Sequence, residues 1–122
     1  MVFVGISGVF SVLFGAWLAH AGDNFPALQQ VRLDTALQYQ FIHTLALFIT
    51  VVWCFSQPMK CLIIACFSFC FGILCFSGSL YLKAYFDLAI IGKLTPFGGG
   101  LLALGWLFIS FAGFSVTKLK KS

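Results

Sequence analysis

Four apolar stretches, at 2–19, 37–55, 61–82 and 97–116, decide what this chain can fold into. A helix of about 20 residues reaches roughly 30 Å, the thickness of a bilayer's hydrocarbon core. The chain is 61% apolar and 8% charged, with a mean hydropathy of +1.07. A core of 122 residues cannot hide that much apolar surface from water, so the solvent is lipid. Within lipid every backbone polar group has to be paired inside its own segment, and each stretch is therefore a helix. The pattern predicts one all-α domain over residues 1–122, an integral membrane antiparallel four-helix bundle.

The links set how the spans connect. Residues 22–26 (GDNFP) read as a turn, with Pro26 suited to a first helical position. Residues 26–38 mix Leu28, Val31 and Leu33 with Gln29, Gln30, Arg32 and Asp34. That segment either lies in the interface or extends span two. Residues 56–60 (SQPMK) are short enough to force spans two and three into an antiparallel hairpin. Residues 83–93 read as an amphipathic connector with Gly92 as a helix stop, followed by Thr95 as a cap and Pro96 as a first-turn proline. Within the connector, Lys83 and Asp87 stand at the spacing of a solvated ion pair, and Lys83 is also placed to reach a lipid phosphate. The segment 2–19 ends on a small-x-small pattern at Ala19, His20 and Ala21, but a signal peptide would want a basic start, and residues 1–10 carry no Lys or Arg. It reads as a span.

The net charge of +4 comes from isolated basic residues near span ends, not from a patch interleaved with aromatics, so nucleic acid is not an expected partner. Four spans put both termini on one side with Lys60, Lys118, Lys120 and Lys121, against Arg32, Lys83 and Lys93 opposite. The balance points to cytoplasmic termini. Five cysteines, Cys54, Cys61, Cys66, Cys70 and Cys75, all lie in apolar runs without zinc or redox spacing. They read as small hydrophobes.

Small residues form two faces for close helix packing. In span one they are Gly8, Ser11, Gly15 and Ala19, with Ser7, Ser11, Gly15 and Ala19 as the strict four-spaced version. In span four they are Gly98, Gly99, Gly100, Gly105, Ala112 and Gly113.

Polar residues interrupt the apolar pattern at few places. Gln40, His43, Leu47, Thr50 and Cys54 alternate three and four apart on one seam of span two. Lipid offers Gln40 and His43 no partner, so they must find one in the protein. Counting from the span ends, His43 and Ser77 both lie roughly 9 Å below one surface. His20, Gln40, His43, Ser77, Ser79, Tyr81, Lys83 and Thr95 are thus expected in one outer layer. The first reading of that layer is structural: Gln40 and His43 bond Ser77, Ser79 or Tyr81 across the helices. The second makes His43 a proton or ligand group. Two histidines without a nearby acid are too few for a closed metal site, and no metal or other cofactor is expected.

GAWLAH at 15–20, YQFIH at 39–43 running into TLAL, FSGSLY at 76–81, and LTPFGG at 94–99 with Gly105 and Trp106 together resemble one family. It is the four-helix membrane family called domain of unknown function four-two-three. The resemblance spans nearly the whole chain. It implies a four-helix integral membrane protein of an inner membrane, bacterial in the first place and mitochondrial in the second, and it implies no reaction. It places His20, Gln40, His43, Ser77, Ser79, Tyr81, Thr95 and Pro96 in the family pattern. Trp17-Leu18 departs from the family's more usual Phe-Gly, which would loosen the close approach of span one.

No nucleophile–base–orienter set is visible, so an enzyme is not expected. The leading expectation is a small accessory or scaffold protein in a larger membrane complex or a homo-oligomer. The alternative is a small transporter or proton-handling protein using the layer around His43.

Overall fold

The computed structural model describes residues 1–86 and 89–119. Asp87, Lys120 and Lys121 lie outside the described residues, and with them the Lys83–Asp87 pair and the terminal lysine cluster. Four helices follow in order: α1 (Val2–Ala21), α2 (Ala27–Ser56), α3 (Lys60–Tyr85) and α4 (Leu94–Leu119). Each is long and apolar enough to cross a membrane, and no strand occurs among the described residues. The chain is an all-α membrane protein.

The apolar stretches mark the spans, but the helices run past them. Residues 27–38 continue α2 outward, giving one helix of 30 residues, about 45 Å long. Nothing in that segment breaks a helix, and Leu33 and Ala36 are fully buried, which holds it to the bundle. Pro26 takes the N-cap in an extended conformation rather than the first helical position. Residues Gly22–Asn24 form a single 3₁₀ turn between α1 and α2. A second 3₁₀ segment, Ala89–Lys93, leads into α4. Gly92 lies inside that segment and no glycine has a positive φ, so it is not a left-handed helix stop. Instead the Lys83 ammonium lies over it, 3.2 Å from where a Cβ would sit. Thr95 and Pro96 fall in the first turn of α4, not before it. There Pro96 sacrifices no intrahelical bond.

Helices α2, α3 and α4 form the tight part of the bundle. Ala46, Leu47, Phe69, Ile73 and Leu102 make its core. In lipid, apolar burial gives little drive by itself, so close packing has to hold the helices together. Glycines make that packing possible between α3 and α4. A Cβ at Gly72 would lie 2.5 Å from Leu102 Cδ2, and one at Gly105 would lie 2.6 Å from the Phe69 ring. At Gly98 it would strike the backbone of Cys75 and Phe76. Gly99 rests more loosely on the Phe76 ring, at 3.6 Å, and Gly100 faces open space.

Helix α1 leans on α2 less closely. Ser7, Ser11 and Leu18 are its buried residues, and Gly15 sits 3.2 Å, at the Cβ position, from Leu37. Within this chain the expected stripe makes contact at Ser11 and Gly15 but not at Gly8, which faces open space, or at Ala19, which is exposed. The reason is rotation. At 3.6 residues per turn, Leu18 stands about 20° from Ser7 around the helix, whereas Ala19 stands about 120° away and Gly8 about 100° away. A strict four-residue repeat walks off the contact face, and the Leu18 side chain closes that face instead.

Candidate functional site: a polar cluster between three helices

Gln40 is buried near the midpoint of α2 and uses both ends of its amide. Its Nε2 donates to Ser7 Oγ at 3.0 Å and, more weakly, to the Ser7 carbonyl at 3.4 Å. Its Oε1 accepts from the Tyr81 hydroxyl at 2.8 Å. One turn on, Thr44 Oγ1 lies 2.7 Å from Ser7 Oγ. Ser11 Oγ donates back to the Ser7 carbonyl at 2.8 Å. The cluster thus joins α1, α2 and α3 through Ser7, Gln40, Thr44 and Tyr81. Tyr81 also meets Phe10 and Phe14 of α1 edge-on, at 5.6 and 5.2 Å. No charged side chain enters the cluster among the described residues. It offers neutral donors and acceptors only, which suits a group held in lipid.

His43 stands apart from it. Nδ1 donates to the Tyr39 carbonyl, one turn back, at 2.7 Å. That bond places the proton on Nδ1 in the neutral ring and leaves Nε2 as the acceptor. The imidazole is walled by Tyr39, Phe69 and Trp106 at ring distances of 5.7, 5.9 and 6.2 Å. Among the described residues Nε2 has no hydrogen-bond partner.

The expected single layer is thus several separate groups. Gln40 and Tyr81 come together, with Ser7 as the hub. Ser79 bonds Thr95 at 2.6 Å and the Phe76 carbonyl at 2.8 Å, which ties α3 to α4. Thr95 is spent on that contact rather than on a helix cap. Ser77 is fully buried, yet among the described residues its hydroxyl has no partner. His20 is exposed at the end of α1 and joins none of these. The Lys83 carbonyl accepts from Arg32 at 3.4 Å, outside the cluster. Because α2 begins ten residues earlier than expected, Gln40 lies about 20 Å along it and not at its outer end. Sequence reading passed over Ser7, Ser11 and Thr44 as bonding partners and Trp106 as a neighbour of His43.

The five cysteines are free and partly exposed rather than fully buried. Cys54, Cys66 and Cys70 wall an apolar cleft of about 210 Å³ toward the other end of the bundle. Among the described residues no group of three His, Cys, Asp or Glu side chains comes close enough to hold a metal.

The chain matches the family model described as "Protein of unknown function (DUF423)" over residues 14–99. It is 33% identical to a UPF0382 membrane protein of Haemophilus influenzae over 120 residues, 98% of this chain and 96% of that protein. It is 31% identical to a UPF0382 membrane protein of Staphylococcus saprophyticus, over 91% of this chain and 92% of that one. It is 32% identical to the UPF0382 inner membrane protein YgdD of Escherichia coli K12, over 87% of this chain and 82% of that one. No solved structure gives a significant match. With four membrane-length helices and kinship over most of its length, the chain belongs to the DUF423 family of membrane proteins.

Proposed function

We propose that this protein is a non-enzymatic accessory or scaffold subunit of an inner membrane, assembling with copies of itself or with other membrane subunits through the outer face of α1. The observation that carries the reading is the state of that face. Gly5 and Gly8 lie one turn apart, and a Cβ at either would meet nothing within 4 Å. Val9, Val12 and Leu13 flank them, all exposed. Bare backbone of this kind lets a second helix approach closely. In α4, by contrast, Gly98 and Gly105 are already filled by α3, which leaves Gly100 facing open space. Lys60, Lys118, Lys120 and Lys121 on the side of the termini, against Arg32, Lys83 and Lys93 opposite, favour cytoplasmic termini.

The test is native mass spectrometry of the full chain extracted gently from its own membrane. Wild type is expected as a defined complex, and Gly5→Leu with Gly8→Leu as free, folded monomers. An unchanged complex in the double variant would overturn the reading. A second reading, proton or solute handling at His43, rests on its unpaired Nε2. It requires pH-dependent flux in proteoliposomes, which the scaffold reading does not.

A further inference from the structure

The cluster borders a cleft of about 240 Å³ between α1 and α3. Phe3, Ile6 and Phe10 form one wall, and Ile73, Leu74 and Ser77 the other. Ile6, Phe10 and Leu74 are exposed, so the mouth of the cleft opens to the bilayer. Gln40 and Tyr81 close its polar end.

Ser77 is the anomaly in this cleft. Hydroxyls in the helices of this chain commonly bond the carbonyl four residues back: Ser11, Thr50, Ser110, Ser115 and Thr117 all do. Ser77 does not, though it is only 1% exposed. A buried hydroxyl left without a partner is costly, and the usual local remedy is available to it but unused. Beside it Gly78 also lines the cleft, and a Cβ there would meet nothing within 4 Å. The cleft is therefore open beside Gly78, and the unspent donor lies just beneath its surface.

We propose that this cleft binds a neutral membrane-dissolved amphiphile through a carbonyl oxygen, with the Ser77 hydroxyl as donor and the apolar walls holding the attached chain or ring. The chemistry follows from the lining. Among the described residues no charged side chain lines the cleft, so a phosphate or ammonium is not what it recognises. A single free hydroxyl calls for a single acceptor atom. The walls are otherwise hydrocarbon and aromatic, which calls for an apolar body. The volume lies below the range of about 300–1,000 Å³ typical of whole-ligand pockets, so the cleft takes one chain or ring and leaves the rest in lipid. Two sources share this chemistry: the ester of an acyl lipid and a lipid-soluble quinone. The inference does not depend on the assembly face of α1.

The test uses the full chain stripped of lipid in dodecyl maltoside, a detergent without carbonyls. Binding is measured for dioctanoylglycerol, for decyl-benzoquinone and for decane as an oxygen-free control. At least one carbonyl ligand is expected to bind more tightly than decane, and which one binds identifies the source. Ser77→Ala is expected to weaken that ligand about fivefold, the worth of one net hydrogen bond, and to leave decane unchanged. Its melting temperature is expected to hold or rise, because an unpaired hydroxyl is removed. Gly78→Leu is expected to fill the cleft and abolish binding while the protein stays folded. Equal affinity for decane and both carbonyl ligands would overturn the proposal. So would carbonyl binding that survives both substitutions unchanged.

Discussion

At the scale of single residues, Gln40 and Tyr81 carry different loads. Tyr81→Phe removes one bond and leaves Gln40 with its Ser7 contacts. Its expected cost is about 1 kcal/mol, within the range of interhelical bonds in lipid. Gln40→Leu strips partners from both Tyr81 and Ser7, although Ser7 keeps Thr44. Its expected cost is about 2–3 kcal/mol, since an orphaned buried group adds its desolvation penalty. Reversible unfolding in mixed micelles measures both, and equal costs would contradict the hub geometry. Gln40 and His43 were legible in the sequence because strongly polar letters stand out in an apolar run. Ser7, Ser11 and Thr44 were not, because a hydroxyl in a membrane helix can bond its own backbone and its letter does not say whether it reaches a neighbour. His43 shows the converse. Its polar letter suggested a partner across helices, and the bond runs to its own helix.

At the scale of elements, the spans were legible and their packing faces less so. Apolar length marks where a helix can sit in lipid, but α2 extends over 30 residues because burial of Leu33 and Ala36 overrides the polar letters between them. The small residues of α1 and α4 looked alike in sequence and differ in use. Those of α4 are spent largely on α3, whereas α1 turns Ser7 and Gly15 inward and Gly5 and Gly8 outward. Spacing alone does not fix that rotation. The difference shows within one triplet. Gly98→Ala puts a methyl group into the α3 backbone and is expected to destabilise by about 2 kcal/mol or more, as overpacking does. Gly100→Ala meets nothing and is expected to be neutral or to stabilise by up to about 1 kcal/mol through helix propensity. Melting temperatures of the two variants in detergent would rank them, and a reversed order would contradict the α3–α4 register.

At the scale of the whole molecule, three helices form a close-packed body, and the fourth, α1, is held to it through a buried polar cluster. This division explains why α1 presents Gly5 and Gly8 outward while the glycines of α4 are spent largely on α3. It also accounts for a lipid-facing cleft beside α1, where packing is loosest. The membrane location follows from the four spans and the family, whereas the seating of α1 rests on a few hydrogen bonds and its rotation. Cysteine crosslinking in native membranes, in a background with the five natural cysteines replaced, tests that seating most directly. Ser7→Cys with Thr44→Cys is expected to form an intramolecular disulfide readily, since the native oxygens lie 2.7 Å apart. Gly8→Cys alone is expected to link two copies if the partner is the same chain, and to form no link with Thr44→Cys. An intramolecular link from Gly8→Cys to Thr44→Cys, with none from Ser7→Cys, would mean that α1 is turned the other way and that the polar cluster does not hold it.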